Sequence, residues 1–569
     1  MFKIKYLCSE QNLDSIKTFF KYLGRLIFIP LELLFGAIFV LFIYILFASQ
    51  IPTPEVPDIH IGKRTKVGKD HYVLDDNYLK KNDFGVWEMY IEGEPYERGL
   101  IYGELAKELI QRQEDIFVDQ INQFVPKGAF QQFLKLMVGF FNSDLPKNIP
   151  LENQQEIYGI SQSFSSKYDY IAEKYVRILN YHAAHDIGHA LNDYSVVGCT
   201  SFALKGSKTE GNELMLGRNF DFYVGDAFAE DQLILFVKPT KGFAFASYSW
   251  AGFTGVASGL NDQGLSVTIN ASKSDLPTGS KMPISLLARE ILQYASTIDE
   301  AIAIAKKRKT FVSETLMIGS AKDGKAVLIE KSPSKLGVFE MQSDELVCAN
   351  HYQSTTFVKD SVNINNIAQS DSKYRFDRVD ELLSSKNNFT PTSIVEVLRD
   401  QYGQNGDTLG LGNPRAVNQL QALHSVVIVP QRKEFYISTH DFQLGAFIGY
   451  DLTQTFALKK GIITDTISAS SFLHSSAYES FLAFKKTRQA ISNYLMFDTP
   501  LVLSKQEIDA FIRSNAESYV TYEQLGKYFK KRKEYQRAAS YFKVALTKNV
   551  ASKQVEKELQ TLLKECQSN

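Results

Sequence analysis

The sequence contains few cysteines, few tryptophans and almost no net charge. Its 569 residues include two tryptophans, and 63 Lys and Arg residues nearly balance 64 Asp and Glu residues. A formal net charge of −1 gives no electrostatic reason to expect a nucleic-acid partner. The cysteines are scattered, with no Cys-x-x-Cys pair and no zinc-ligand spacing, which argues against a disulfide scaffold. They are Cys8, Cys199, Cys348 and Cys566.

Motifs for common cofactors and for serine hydrolases are also missing. The sequence has no Gly-x-Ser-x-Gly elbow, no Walker loop and no Gly-x-Gly-x-x-Gly helix start, so we expect no cofactor. One cluster could bind a metal ion, since His185 and His189 would lie one helical turn apart, near His182 and Asp186. No HExxH glutamate accompanies them. We therefore favour a packing role, or a role in chain cleavage, for this cluster, and keep metal binding as a rival.

The sequence has one long hydrophobic run. Leu33–Ala48 carries no charge, and with the residues around it the run reaches the length of about 20 residues that a bilayer requires. We expect a transmembrane helix over residues 26–49. Lys and Arg precede it, and none follows until Lys63, so the positive-inside rule predicts a cytoplasmic N-terminus. This predicts a single-pass membrane protein with its bulk outside the cytoplasm, periplasmic in a bacterium; a cleaved signal peptide is the alternative.

Beyond this run, blocks of helical pattern alternate with blocks of strand pattern. Helical periodicity dominates from Trp87 to about Ala190, and short strands with Gly or Asn/Asp turns follow from Cys199. Such blocks indicate α+β layers rather than a doubly wound sheet. Near the C-terminus, residues 522–545 have the spacing of one tetratricopeptide repeat (TPR), which would suit a protein partner. An ordinary helical hairpin remains equally open there.

The most informative segment surrounds Cys199. It reads V-G-C-T-S-F, and G-R-N-F-D-F follows after a strand and turn. Gly198 leaves the peptide bond before Cys199 unhindered, so the thiol can attack the preceding carbonyl. After an acyl shift and hydrolysis, the freed α-amino group, with an ordinary pKa of about 7.7 to 8.0, can act as base for the thiol. The pattern therefore predicts cleavage between Gly198 and Cys199, although an isolated cysteine is usually a core residue.

These motifs resemble the penicillin acyltransferase-like family of N-terminal-nucleophile (Ntn) hydrolases and, more distantly, choloylglycine hydrolases and acid ceramidases. Further segments match in order along the chain. They are the hairpin Gly259–Leu265, the strand end Cys348–His351, the helix Ser372–Arg378 and the late strand His424–Val429. The resemblance extends from about Trp87 to Ser438.

The resemblance implies a role for each polar residue around the nucleophile. Asp221 would hold the new α-amino group, and Arg218 would shape the field of the thiolate. Asn350, with Asn270 second, would stabilise the oxyanion. Arg375 would complete the polar ring. Each has an ordinary alternative as an ion pair, a strand cap, a turn residue or a solvated helix charge.

The fold that the resemblance implies is a four-layer αββα Ntn-hydrolase sandwich, in the α+β class. We expect it to carry the N-terminal transmembrane helix and C-terminal TPR-like helices. The expected order is a cytoplasmic N-terminus, the transmembrane helix, a linker, a helical pro-segment that stays bound after cleavage, a catalytic domain and a helical C-terminal region. These cover residues 1–25, 26–49, 50–70, 71–198, 199–480 and 481–569.

The expected reaction is attack of the cysteine on an amide carbon–nitrogen bond, which gives a thioester that is passed to water or to an amine. The substrate would be an N-acyl amide, and the expected membrane helix makes a lipid-like acyl group a hypothesis. Three alternatives stay open: a metal-dependent hydrolase that uses the histidine cluster, a phospholipase-like esterase on the same fold, and a non-catalytic membrane-tethered scaffold.

Overall fold

The computed structural model describes most of the chain. The described residues are 51–124, 138–139, 141–191, 198–222, 225–275 and 279–568, with the backbone alone at 123–124 and 184–191. The chain divides into two units. The first, residues 1–52 with 125–144, lies almost wholly outside the described residues. The second, residues 53–124 with 145–569, contains every element below.

The expectation of a single-pass membrane protein is corrected, and with it the placement outside the cytoplasm. Within the described ranges, no helix is both long and apolar enough to cross a membrane. The 22-residue helix Ser476–Phe497 has sufficient length, but it carries Glu479, Lys485, Lys486 and Arg488. Residues 26–49, on which the expectation rested, lie outside the described residues.

Eighteen strands and sixteen α-helices are labelled here in chain order within the described part of the chain. The strands β1 to β18 are Thr65–Gly68, His71–Leu74, Asn77–Lys81, Trp87–Gly93, Thr200–Leu204, Met215–Phe220, Gln232–Pro239, Phe245–Trp250, Ser258–Asn261, Leu265–Ala271, Glu314–Ser320, Lys325–Lys331, Leu336–Glu340, Glu345–Cys348, His424–Val429, Glu434–Ser438, Phe447–Asp451 and Ile463–Ile467. The helices α1 to α16 are Pro95–Leu105, Lys107–Phe124, Leu145–Asn148, Leu151–Ser161, Lys174–Leu191, Ile284–Tyr294, Ile298–Lys307, Ser361–Gln369, Ser372–Ser384, Pro391–Leu398, Leu452–Leu458, Ser476–Phe497, Lys505–Ser514, Tyr519–Lys531, Tyr535–Ala545 and Lys553–Gln567.

The strands form two sheets. The larger has the order β1-β2-β3-β4-β7-β8-β9-β10-β11-β12-β13, and the smaller has the order β14-β5-β6-β15-β16-β17-β18. Neighbouring strands pair antiparallel, except that β4 lies parallel to β7, from Trp87 opposite Leu233 to Gly93 opposite Pro239. The expected strands from Cys199 to Ser438 are confirmed in both sheets.

The N-terminal part of the second unit differs from the sequence prediction. Residues 65–93 form four strands, where we expected a linker and then helices. Strands β3 and β4 pair from Tyr78 opposite Tyr90 to Lys81 opposite Trp87. The ladder between β4 and β7 builds this segment into the larger sheet, so its strand structure depends on partners more than a hundred residues away.

The two sheets pack face to face around one core. This core contains side chains from the larger sheet, such as Phe236 and Leu328, and from the smaller sheet, such as Leu216 and Val426. Their burial supplies the main stabilisation of the sandwich, at about 25 cal/mol per Å² of apolar surface. Face-to-face packing also leaves the strand ends available to carry polar groups.

Helices cover both outer faces. Helices α6 and α7 lie against β9 to β12 of the larger sheet, and α9 and α10 lie against the smaller sheet. A capping box of Thr297 and Glu300 starts α7, and Thr390 with Ser393 starts α10 in the same way. The α+β class and the αββα layering are thus confirmed.

A buried ion network joins the N-terminal helices to α6. Glu156 of α4 accepts hydrogen bonds from Arg98 of α1 and from Arg289 of α6, which donates at 3.0 and 2.7 Å. All three side chains are about 1% exposed or less. A buried carboxylate between two guanidinium groups is tolerated because each charge offsets the desolvation of the others.

The C-terminal helices α12 to α16 have a core of their own. Phe484, Phe511, Leu525 and Phe542 are among its buried side chains, and Leu444 joins it from the segment before β17. Helices α14 and α15 form the helical pair over the expected TPR-like spacing, and Gly526 lets α14 approach Phe542 closely. Assignment to the TPR class stays a prediction.

The buried network predicts the cost of removing its carboxylate. Glu156→Ala would leave two buried guanidinium groups without a counter-charge, and we expect a loss of about 3 to 5 kcal/mol in the free energy of unfolding. The measurement is denaturant unfolding followed by circular dichroism. Glu152→Ala, a partly exposed carboxylate on the same helix, is the control, and its effect should stay within about 1 kcal/mol. Equal effects of the two variants would contradict the assigned role of the network.

Candidate active site

Cys199 lies immediately before β5, at a point where three strand ends meet. In the ladder between β5 and β6, Ser201 stands opposite Arg218. On the other side of β5, Ser201 stands opposite Cys348, at the end of β14. The thiol is 1% exposed. The register therefore brings three separate parts of the chain to one buried cysteine.

Arg218 is buried completely and holds the thiol on one side. Its Nη2 donates to Cys199 Sγ, with the two atoms 3.7 Å apart, and to the carbonyl of Ile269. Its Nη1 donates to Ser258 Oγ at 2.8 Å and lies 3.3 Å from His424 Nε2. Burial and the neighbouring arginine keep the pKa of His424 well below its ordinary value, so this imidazole is neutral at physiological pH. The guanidinium therefore keeps its charge in a fixed orientation beside the sulfur.

Asp221 follows β6 and is also fully buried. Its backbone N–H acts to lower the pKa of the Cys199 thiol, against the larger effect of burial. Burial raises the pKa of its carboxyl to about 7, against the opposing effects of Arg375 and Arg218. Its Oδ1 has no hydrogen-bond partner among the described residues. A buried carboxyl that titrates near neutrality beside a cysteine can take up a proton in a reaction.

The peptide bond between Gly198 and Cys199 is held from both sides. The Gly198 N–H donates to the Asp221 carbonyl at 3.2 Å. The Gly198 carbonyl accepts a hydrogen bond of 2.8 Å from Gln419 Nε2, which also lies 3.4 Å from Asp221 Oδ2. The Cys199 carbonyl accepts from Arg375 Nη1 at 2.9 Å. The bond that the sequence marks for cleavage is therefore fixed in one orientation.

Arg375 approaches the site from α9 and is fully buried. Besides the Cys199 carbonyl, it donates to Thr200 Oγ1 at 2.9 Å, to Asn350 Oδ1 at 2.7 Å and to Asp371 at 3.1 Å. It is thus a buried connector and not the solvated charge of the alternative interpretation. Through it, α9 fixes the start of β5 against the end of β14.

The two candidate oxyanion residues lie close together beside the start of β5, and each bonds to the backbone next to the other. Asn350 Nδ2 donates to the Ala271 carbonyl at 2.9 Å. Asn270 Nδ2 donates to the carbonyls of Cys348 and Ala349, and its Oδ1 accepts from Ser201 Oγ at 2.7 Å. Both amides are therefore hydrogen-bonded to the backbone of neighbouring strand ends in this structure.

The electrostatic balance leaves the thiol protonated. Burial raises the pKa of Cys199 to about 11, although Arg218 acts in the opposite direction. Burial also raises the pKa of Cys348, whose side chain lies in the core between the sheets, well above its ordinary value. The Cys199 thiol of the continuous chain therefore needs a base before it can react at neutral pH.

An aromatic cavity lies next to the site, and Phe222, the residue after Asp221, is part of its lining. Its lining comes from α2, α5, the end of β8 and the segments that follow α4, β6 and β8. It includes Phe117, Phe164, Phe222, Phe228, Trp250 and Phe253. Its free volume is about 60 Å³. That is smaller than the cavity of about 150 Å³ that holds a benzene molecule in an engineered protein. The cavity can hold a compact apolar group only if its side chains move.

His182 lines this cavity and has a structural role. Its Nε2 accepts from the Thr254 N–H at 2.9 Å, and its Nδ1 lies 2.8 Å from the Ile178 carbonyl. Burial lowers its pKa to about 4. No metal-binding group of three His, Cys, Asp or Glu side chains occurs among the residues described. The side chains of His185, Asp186 and His189 lie outside that set, so the metal pair stays a hypothesis.

The structure places the six side chains named from the sequence close together, beside several partners that the sequence did not indicate. All six named side chains, Cys199, Arg218, Asp221, Asn270, Asn350 and Arg375, surround the start of β5. Gln419, Ser258 and Asp371 were not anticipated, and His424 was noted only as a strand residue. Gln419 lies in a stretch without helix or strand periodicity, and no local signal marks it.

An αββα sandwich with a buried cysteine at the start of an inner strand is the arrangement that the Ntn class implies. Residues 208–440 match the family described as "Acyl-coenzyme A:6-aminopenicillanic acid acyl-transferase". The resemblance stated from the sequence is thereby confirmed. The match covers less than half of the chain and begins shortly after Cys199, with Arg218 and Asp221 inside it.

Similar proteins come from distant organisms. An uncharacterized protein of Archaeoglobus fulgidus is 26% identical over 343 residues, which are 54% of this chain and 56% of that protein. An N-acylethanolamine-hydrolyzing acid amidase of Caenorhabditis elegans is 23% identical over 49% of this chain and 76% of its own length. For the archaeal relative, the matched part is little more than half of its length.

A solved structure of a conjugated bile acid hydrolase from Clostridium perfringens is also similar. It is 15% identical, covers 48% of this chain and 98% of its own, and has a TM-score of 0.32.

Proposed function

We propose that this protein is a self-processing amidohydrolase or acyltransferase with Cys199 as its nucleophile. The observation that carries the proposal is the geometry of one peptide bond. Gly198 and Cys199 are held by hydrogen bonds at both carbonyls, and the thiol lies between Arg218 and the backbone of Asp221. A structural cysteine in a core needs none of these polar neighbours.

Self-cleavage would proceed in two steps. Cys199 Sγ attacks the Gly198 carbonyl carbon, Asp221 takes the thiol proton, and the carbon–nitrogen bond breaks as the α-amino group leaves with a proton. The resulting thioester is hydrolysed by water, which gives a Gly198 carboxylate and restores the thiol. Asp221 suits the base role because its buried carboxyl titrates near neutrality.

Turnover would use the same thiol with a new base. The freed α-amino group of Cys199 takes the thiol proton, and Asp221 stabilises the ammonium that results. Arg218 favours the thiolate. Asn350 and Asn270 are the proposed oxyanion donors. Asn350 uses one of its two amide hydrogens on the Ala271 carbonyl, whereas Asn270 would have to redirect one of the two that it donates to the backbone. Arg375 positions Asn350 and the Cys199 carbonyl.

The proposed domain organisation follows from this cut. Residues 71–198 would form the pro-segment, 199–480 the catalytic domain and 481–569 the helical C-terminal region. The pro-segment would stay attached, because the ladder between β4 and β7 and the contact of Glu156 with Arg289 both cross from one side of the cut to the other.

The first prediction for this function concerns the cut. The wild-type chain should yield a second fragment beginning Cys-Thr-Ser-Phe, and Cys199→Ala should remain whole because it has no nucleophile. A denaturing gel with N-terminal sequencing measures both. Cys348→Ala is the control, since its thiol is buried in the core and should not affect cleavage. An intact wild-type chain would remove the basis of the proposal.

The second prediction concerns the pH dependence of the rate of self-cleavage. Because Asp221 must be ionised to accept the thiol proton, and its pKa is about 7, the cleavage rate should fall roughly tenfold per pH unit below 7 and level off above it. Rates are measured from gel time courses in buffers from pH 5 to 9. Asp221→Asn, which has nearly the same shape, should cleave slowly at every pH. A flat wild-type profile would exclude Asp221 as the base.

The proposed substrate is an N-acyl amide with a compact apolar acyl group. The C. elegans relative is named for the hydrolysis of N-acylethanolamines, and the aromatic cavity beside Asp221 offers a place for an acyl group. The lipid-like acyl group expected from the sequence rested on a membrane helix that the described residues do not provide. The small cavity favours short acyl groups over long chains.

Cavity size predicts acyl selectivity. Phe228→Leu would shorten a buried wall of the cavity, so the ratio of kcat/KM for a longer over a shorter acyl amide should rise by about tenfold, the usual effect of a methylene or two in an apolar pocket. The assay compares N-acylethanolamines of increasing chain length. Phe389→Leu, equally buried against the outer helices, is the control and should leave the ratio unchanged. An unchanged ratio in Phe228→Leu would place the acyl site elsewhere.

The alternatives give different results in these assays. A metal-dependent hydrolase would keep activity in Cys199→Ala and lose it to a chelator. A phospholipase-like esterase would cleave itself but prefer an ester over the matched amide. A non-catalytic scaffold would remain whole with an inert thiol. A protein partner for the C-terminal helices stays a prediction, and their contacts with residues 411–415 favour an internal role.

A further inference from the structure

We propose that Gln419 is a catalytic residue of self-cleavage, whose side-chain amide stabilises the oxyanion that forms on the Gly198 carbonyl. The inference rests on the proposed function of Cys199 and adds a residue that neither the motifs nor the family resemblance identified. It concerns the cut that activates the protein and not the later turnover of substrate.

The geometry of the amide supports this role. Gln419 Nε2 donates to the Gly198 carbonyl at 2.8 Å, within the range for oxyanion donors. Its Oε1 accepts from Gln421 Nε2 at 2.7 Å, so the neighbouring glutamine fixes which end of the amide faces Gly198. The side chain is 3% exposed. A dry and oriented donor is worth much more to a developing charge than one that water can replace.

Gly198 and Gln419 fit each other closely. A Cβ atom at position 198 would lie 2.4 Å from Gln419 Nε2 and 2.8 Å from its Oε1. Any residue larger than glycine would therefore displace the amide from the carbonyl. The glycine before the cut allows this donor to approach, in addition to leaving the peptide bond unhindered.

The backbone around Gln419 is strained and fixed. Leu420 has a φ of +50°, an uncommon conformation for a bulky residue, and its N–H donates to Asn418 Oδ1 at 2.9 Å. Strain of this kind persists where the surrounding structure holds it and is concentrated at functional sites. Here the strained conformation at Leu420 fixes the direction in which the Gln419 side chain projects from the backbone.

The C-terminal helical region holds the same segment. Arg415 Nε donates to the Ala551 carbonyl at 3.0 Å, and Asn413 Nδ2 donates to the Asn549 carbonyl at 2.7 Å. Leu420 packs into the core of the C-terminal helices. These contacts order Gln419 before the reaction begins, which is the condition for an effective oxyanion donor.

Gln419 acts in the first covalent step of self-cleavage. When Sγ bonds to the Gly198 carbonyl carbon, the carbonyl electron pair moves to oxygen, and the Gln419 N–H then donates to an anion. The charge returns as the carbon–nitrogen bond breaks, the thioester forms and the α-amino group leaves. Asn270 and Asn350, the proposed donors for turnover, donate instead to the carbonyls of Cys348, Ala349 and Ala271.

The test is the rate of self-cleavage in the full-length chain. Gln419→Ala removes the donor, and Gln419→Met removes it while keeping most of the volume. Both should slow cleavage by roughly 10² to 10³-fold, the usual loss for one oxyanion donor. The measurement is a pulse-labelled chain followed on denaturing gels. Gln293→Ala is the matched control, because Gln293 is also buried and donates to a backbone carbonyl, that of Lys241, on the opposite outer face.

A double variant separates catalysis from folding. Gly198→Ala alone should slow cleavage by displacing the amide, but in a Gln419→Ala background it should add little, because the clash is gone. Additive losses, or wild-type rates in folded Gln419→Met, would overturn the role of Gln419 while the wild type still cuts itself. A wild-type chain that stays whole would instead overturn the proposed function. A thermal unfolding midpoint close to that of Gln293→Ala establishes that the variants are folded.

Discussion

The burial of charge around Cys199 is the constraint on which the rest of the site depends. Arg218, Asp221 and Arg375 are each completely buried between the layers, where an unpaired charge costs several kcal/mol. Each guanidinium is therefore surrounded by oxygen acceptors and by neutral partners such as Ser258. Those partners come from both sheets and from α9, so the site cannot form until the sandwich has closed.

The same burial determines the chemistry of the continuous chain. It raises the pKa of the Cys199 thiol to about 11 and that of Asp221 to about 7, so a protonated thiol lies beside a carboxyl able to accept its proton. Cleavage would change this balance, because an amine with an ordinary pKa of about 7.7 to 8.0 appears on the nucleophile itself. Within the proposed function, the cut is what converts a poorly reactive core cysteine into a nucleophile with its own base.

The sequence predicted the parts of the site that are local in the chain. Cys199, Arg218 and Asp221 lie within two adjacent strands, and a short motif with a turn between its halves is enough to bring them together. Asn350 and Arg375 could be named only through the family resemblance. Gln419 could not be found, because its importance comes from one contact across 220 residues of chain and from a strained backbone that leaves no compositional pattern. Strands β1 to β4 were missed for a related reason. Their segment has little alternation of apolar and polar residues of its own, and it joins the larger sheet through the parallel pairing of β4 with the distant β7.

The C-terminal helices can be understood from the same physical argument. Oxyanion stabilisation depends on donors that are ordered before charge develops, and Gln419 lies on a connection between α10 and β15 that has little regular structure. The connection that carries Gln419 would therefore be ordered only by the parts of the protein that pack against it. Arg415 and Asn413 bind backbone carbonyls in the connection between α15 and α16, and Leu420 enters the core of the helical region, so these helices hold the Gln419 connection in one conformation. On this argument the C-terminal region would be an integral support of the proposed cut site, and the residues with repeat-like spacing are those of α14 and α15, which pack against each other.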